Sequence, residues 1–251
     1  MKKKTYLLIT FCFAVLFIRA QKEELYQNSI LIELFTSEGC GSCPIADEFM
    51  DDLLYYADST KMPIYVIDFH VDIWNKSGWV DPFSDSNHTN RLKSYLKRKE
   101  WVHMYTPMAI LNGREQHAGH ARKEIGKFIQ KELYEPSKHF LRIRLQPIEG
   151  ETDSVLVSYT VWGPSDSLTL NVALLQKKIN SQVTAGENKD KILHHNNVVR
   201  QFKSVPITGK TGSLKMYLNP NLILTNFRFL AYIQHQRTWD VYATDQINFT
   251  K

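Results

Sequence analysis

Near residue 136 the hydrophobic pattern of the chain changes period, and that change limits the folds open to it. Before this point, short apolar runs alternate with stretches of helical spacing; after it, apolar residues recur at every second position. Ser29 to Thr36 is rich in isoleucine and leucine and reads as a buried strand, broken by Ser37-Glu38-Gly39. Pro44 suits a first helical turn, and Ile45, Phe49, Leu53 and Leu54 follow at helical spacing. Asp47 and Glu48 complement the positive start of that helix. Pro63 to Phe69 reads as a second buried strand, and residues 70–86 as irregular chain. Asn87 to Trp101 has the pattern of a surface helix resting on Leu92, Tyr95 and Leu96. Thr106 to Ile110 and Glu115 to Ala118 flank Asn112-Gly113, the signature of a hairpin with a primed turn. Ala121 to Leu133 predicts a helix that Pro136 ends.

The order β-α-β-α-β-β-α predicts a central sheet flanked by helices over residues 21–136. Beyond it, Leu141, Ile143 and Leu145 alternate with polar residues, as do Leu168, Leu170, Val172 and Leu174. Leu214, Met216 and Leu218 form another such run, and Phe227, Phe229, Ala231 and Ile233 a fourth. Residues 137–251 therefore predict a β-rich, sandwich-like domain.

The N-terminus adds a destination. Lys2, Lys3 and Lys4 precede an apolar run from Tyr6 to Ile18, which closes on the small residue Ala20. This is the layout of a secretory signal peptide over residues 1–20. The run is shorter than the roughly 18 residues a membrane span needs, so no span is expected after cleavage. Phe11 before Cys12 argues against a lipid anchor there. Four of the 31 basic residues and none of the 26 acidic ones lie in that segment, so its removal lowers the formal charge from +5 to +1. That balance gives no electrostatic case for a nucleic-acid partner. It also removes Cys12, leaving Cys40 and Cys43 of the three cysteines. Export predicts a secreted or periplasmic protein in which a disulfide can persist.

Cys40-Gly41-Ser42-Cys43 sits between a predicted strand and a predicted helix. A bridge across two residues closes too small a loop to stabilise much. A helix N-terminus favours thiolate over thiol, and thiolate is the attacking species in disulfide exchange. This points to Cys40 as nucleophile and Cys43 as resolving thiol, with Gly41 and Ser42 small enough to admit a partner's sulfur. A structural disulfide and half of a zinc site are the competing readings, and no second CxxC supports the latter.

The run from Ile32 to Cys40, then Cys43-Pro44, Phe69-His70-Val71-Asp72 and Trp79-Val80-Asp81-Pro82-Phe83, resembles a family of secreted thioredoxin-like proteins of unassigned function. Tyr105-Thr106-Pro107 and Asn112-Gly113-Arg114-Glu115 extend the likeness, and His194 to Arg200 continues it more weakly. The resemblance implies a thioredoxin-like α/β fold for the first half, a CxxC, and export. It also implies a cis-proline at Pro107, where the preceding residue, Thr106, offers its backbone to an extended substrate. Thioredoxins carry a buried acid six residues before the first cysteine. Leu34 stands there in this chain, and Glu33 beside it points to the other face of a regular strand. Asp68 is the other carboxylate considered as an aid to the cysteines.

His70, Asp72, Trp74 and Trp79 follow the second strand, at the rim where such sheets build sites. His70 and Trp74 are read as substrate contacts, and His70 with Asp72 could join the cysteines on copper or zinc. His194 and His195 face opposite ways on a strand and read as structural. The expected function is thiol–disulfide exchange with exported protein thiols or disulfides, needing no cofactor. The alternatives are an exported binding module and a copper or zinc carrier. Whether the pair oxidises, reduces or isomerises is not written in Gly41-Ser42.

Overall fold

The computed structural model describes residues 25–219 and 222–249, so the expected signal peptide lies outside the described residues. The first half comprises β1 (Tyr26–Gln27), β2 (Ile30–Thr36), α1 (Cys43–Thr60), β3 (Ile64–His70), α2 (Ser86–Lys99), β4 (Met108–Leu111), β5 (Glu115–Ala118) and α3 (Arg122–Tyr134). The second comprises β6 (Pro136–Ser137), β7 (Phe140–Ile148), β8 (Glu151–Trp162), β9 (Leu168–Gln182), β10 (Ile192–Pro206), β11 (Thr211–Tyr217), β12 (Phe227–His235) and β13 (Val241–Asn248).

β2 is buried along its whole length, because both of its faces are covered. Ile30, Ile32 and Leu34 pack with Ala46, Phe49 and Met50 of α1 and with Ile125, Phe128 and Ile129 of α3. Leu31 and Phe35, on the other face, pack with Ile67, Phe69 and the α2 residues Leu92 and Tyr95. Pro44 opens α1 without needing an N–H partner. Asp85 caps α2 by accepting from the backbone N–H of Asn87 at 2.8 Å. The β4–β5 turn has Asn112 at φ 45° and Gly113 at φ 63°, the primed geometry that the pair predicts. A side chain at Gly113 would run into the backbone carbonyl of Trp239.

The expected α/β thioredoxin-like domain followed by a β-rich domain is corrected here. Strand outweighs helix about two to one among the described residues, and it is gathered in three sheets. The largest, of eight strands in the order β13-β12-β9-β10-β3-β2-β4-β5, takes members from both halves of the chain. The junction is β10, which runs parallel to β3 with Val198 beside Asp68 and antiparallel to β9 along most of its length. A hydrophobic pattern tells which face a side chain takes, but not which distant strand lies alongside. Sequence alone therefore gave no sign that β3 pairs with a strand of the second half.

The three-stranded sheet β11-β8-β7 covers one face of the outer strands. All four alternating runs recognised in the second half meet in that layer: Leu141 and Ile143, Leu170 and Val172, Leu214 and Met216, Phe229 and Ile233 share one core. One sheet thus has helices over its inner strands and a second sheet over its outer ones.

Candidate functional site

β2 and β3 run parallel and end together at Thr36 and His70. The chain leaving β2 turns through Ser37-Glu38-Gly39 and enters α1 at Cys43, so Cys40 and Cys43 stand at the helix start. They form a disulfide with Cα atoms 5.4 Å apart. Gly41 and Ser42 are exposed, whereas Cys40 and Cys43 are 2% and 0% exposed.

Two walls account for that burial. On one side stands the irregular chain after β3. A side chain on Gly39 would approach the Trp74 Cβ to 2.9 Å, and the indole N–H of Trp74 donates to the Thr106 hydroxyl at 2.7 Å. The Thr106–Pro107 bond is cis. On the other side lies the turn 183–191 between β9 and β10. The Asn188 side chain, fully buried, donates to the carbonyl oxygens of Glu38 and Cys40, both at 2.9 Å. Glu187 accepts from the Gly41 N–H at 2.8 Å. The second half of the chain therefore lies directly on the CGSC turn.

Beneath the turn is a buried layer of ionisable groups. The His195 Nε2 is 3.1 Å from a Glu38 carboxylate oxygen, and its Nδ1 is 3.3 Å from one of Asp47, the latter pair off the line of a hydrogen bond. Glu38 also accepts from the Trp79 indole at 2.7 Å, and Asp47 from the Thr36 hydroxyl at 3.0 Å. Burial alone would lower the pKa of His195, but Asp47 and Glu38 push it up to about 10. Asp81 accepts from the Glu38 backbone N–H at 2.9 Å and pairs with the His70 Nδ1 at 2.7 Å. Against the effect of burial, that histidine holds the Asp81 carboxyl below its ordinary value. Asp68, on the α1 side of β3 and 1% exposed, is held well above the usual carboxylate range by burial and then by Asp47. One of its oxygens has no hydrogen-bond partner, and neither has the His70 Nε2.

Of the residues singled out from sequence, Gly41 and Ser42 lie between the bonded Cys40 and Cys43, Trp74 stands against Gly39, and Thr106, beside the cis-Pro107, is tied to the Trp74 indole. His70 lies in the layer below, with a fully buried side chain. Asp72 turns away to accept from the Thr89 hydroxyl at 2.5 Å, and Glu33 faces α2, paired with Arg91 at 2.7 Å. Among the described residues, no group of three or more His, Cys, Asp and Glu is arranged to hold a metal ion. Glu38, Asp47, Asp81, Glu187, Asn188 and His195 also belong to the site; from sequence Glu38 reads as part of a strand-breaking turn, Asp47 as a complement to the helix start, Asp81 as part of the Trp79–Phe83 motif and His195 as structural, while nothing marks Glu187 or Asn188. A charged triplet buried beside a CxxC leaves a signal only once β10 is known to pair with β3.

The architecture has solved counterparts. It resembles a protein of Agrobacterium tumefaciens determined by X-ray crystallography, with a TM-score of 0.67, 22% identity, and coverage of 90% of this chain and 97% of that one. It also resembles HBP35 of Porphyromonas gingivalis, with a TM-score of 0.63, 15% identity, and coverage of 89% of this chain and 76% of that one. Both likenesses concern the fold. No curated protein matches the sequence. The model of a family described as proteins of unknown function, DUF1223, matches residues 31–234, and the chain belongs to that family.

Proposed function

We propose that this is an exported thiol–disulfide exchange protein acting through Cys40 and Cys43. The observation that supports this reading best is the placement of the disulfide: at the start of α1, over a buried layer of carboxylates and histidines. Disulfide-bearing proteins belong to oxidising compartments, and the leader pattern at the N-terminus agrees. No helix among the described residues is long and apolar enough to cross a membrane.

In the reducing direction the Cys40 thiolate attacks one sulfur of a partner's disulfide. A Cys40–partner bond forms and the partner's other sulfur leaves as thiolate. The Cys43 thiolate then attacks the Cys40 sulfur, the Cys40–Cys43 bond re-forms, and the partner's second thiolate departs. The pair loses two electrons and the partner gains them; the oxidising direction is the reverse. Helix-start N–H groups favour the Cys40 thiolate. Gly41 and Ser42 leave room for the incoming sulfur, while Thr106, Pro107 and Trp74 form the wall against which a partner segment lies. His70 acts from below by holding Asp81, which fixes the backbone of Glu38.

The test is expression of Cys43→Ser and Cys40→Ser chains in the exporting compartment, compared on non-reducing gels. Cys43→Ser is expected to accumulate mixed disulfides through Cys40, and Cys40→Ser to trap few. Equal trapping by both removes the assigned order.

The burial of both sulfurs favours a second reading, an exported binding module in which the disulfide is structural. A pair that no dithiol reduces in the folded chain, with no trapping by either variant, selects it.

A further inference from the structure

His195 comes from β10, in the second half of the chain, and its ring bridges the two flanks of the cysteine pair. Glu38 lies two residues before Cys40, and Asp47 lies one helical turn after Cys43. The ring nitrogens stand 3.1 Å and 3.3 Å from these two carboxylates, with side-chain exposures of 0%, 0% and 5% for His195, Glu38 and Asp47. Each carboxylate has a further fixed donor, the Trp79 indole or the Thr36 hydroxyl. Other ionisable groups reach the ring from the elements packed on it. Asp51 does so from α1 and Asp68 from β3. His70 packs against it edge to face at 4.8 Å between centroids, itself tied to Asp81, and the Phe83 ring closes the remaining side at 5.7 Å. The surroundings are rich in carboxyl groups, and two buried like charges cannot both persist without a cation between them.

We propose that His195 is a positioning residue for the exchange reaction: it holds the Glu38 and Asp47 side chains in place on the two flanks of Cys40 and Cys43, so that thiol chemistry runs in a constant field across neutral pH. The proposal rests on the exchange reading given above. His195 is protonated throughout that range, its pKa raised to about 10 by the same two carboxylates despite burial. Its charge therefore does not change while a thiol titrates. Removing it leaves two buried carboxyl groups without the cation they share, and such a pair binds a proton more readily.

The test uses the full chain reduced with a dithiol, and follows alkylation of Cys40 from pH 5 to 9. Wild type is expected to show one ionisation. His195→Gln, which keeps a polar side chain but drops the charge, is expected to show a second break. Below that break the released carboxyl is neutral and the rate equals that of wild type. Above it the extra negative charge disfavours the thiolate and alkylation slows about tenfold. Asp47→Asn removes the opposite charge and is expected to speed alkylation by a similar factor, which decides the matter if the histidine variant does not fold. Superimposable pH profiles for wild type and the folded His195→Gln chain overturn the inference alone, as does an unchanged rate in Asp47→Asn. A wild-type pair that no dithiol reduces overturns the inference together with the exchange reading.

Discussion

The central strands β2 and β3 bury charge on both of their faces, and the two sides treat it differently. On the α2 side, Arg91 makes a two-pronged pair with Glu33 at 2.7 and 2.9 Å, and Tyr95 donates to the same carboxylate at 2.6 Å. Five aromatic rings surround the guanidinium at 5.0–5.8 Å: those of Phe69, Tyr95, Phe202, Tyr232 and Trp239. On the α1 side, one imidazolium serves two carboxylates, burial and Asp47 hold the Asp68 carboxyl well above the usual carboxylate range, and Asp68 and His70 each keep an atom without a partner. A fully satisfied polar network fixes a core, whereas unsatisfied buried groups call for a reason beyond stability. The side that bears the disulfide is the unsatisfied one.

The sharpest way to break this comparison is Arg91→Ala. It leaves Glu33 buried without its cation, and is expected to cost about 3–5 kcal/mol in urea unfolding while the reduction potential of the cysteine pair stays put. A loss below about 1 kcal/mol, or a shifted potential, would show that the two sides are not separate in role.

Next in size is Asn188→Ala. It deletes the two hydrogen bonds from the 183–191 turn to the carbonyls of Glu38 and Cys40 and leaves the one between Glu187 and the Gly41 N–H. At about 1 kcal/mol each, their loss is expected to speed reduction by a dithiol roughly tenfold or more. Because access changes rather than the chemistry of the sulfurs, reduction and reoxidation should accelerate together, with the potential unchanged. Stopped-flow rates in both directions check this, and acceleration of one direction only contradicts it.

Asp68→Asn sharpens the contrast from the other side. A carboxyl whose folded-state pKa lies above its unfolded value of 3.8 loses folding stability as pH rises from that value toward the folded one. Neutralising it is therefore expected to stabilise the chain at pH 7 and to do nothing near pH 3.5. Urea titrations at both values decide it, and equal effects at the two pH values would refute the assignment. The smallest effect belongs to Arg122→Ala. Its pair with Asp52 is more than half exposed on both sides, and its loss should cost no more than about 0.5 kcal/mol, within the scatter of thermal melts.

Periodicity served well wherever an element depends on its own residues. The primed turn at Asn112-Gly113 and the helix start at Pro44 follow from local chemistry, and the shared core of Leu141, Val172, Leu214 and Phe229 follows from strict alternation. The placement of Glu33 away from the cysteines came from the same rule. What escaped was non-local. Nothing in residues 192–206 announces that Val198 lies beside Asp68, so the first half was read as a separate thioredoxin-like unit and the second as a neighbour. The site suffered in proportion. His195 was set aside because adjacent histidines on a strand face opposite ways. That is true: His194 is exposed on Asn180, while its neighbour is buried among carboxylates. Nothing in the sequence marks Asn188 or Glu187, since their partners lie nearly 150 positions away.

That distance along the chain also sets an order of assembly. A chain made from its N-terminus presents Cys40 and Cys43 long before Asn188, 148 residues downstream, can reach the carbonyl of Cys40. Until that turn is made, nothing of it covers the two thiols. Once β10 docks beside β3 the same sulfurs are shut in. The last strands to be made act as a seal on chemistry begun by the first, and a chain cut short before residue 183 would keep its cysteines but leave them unguarded.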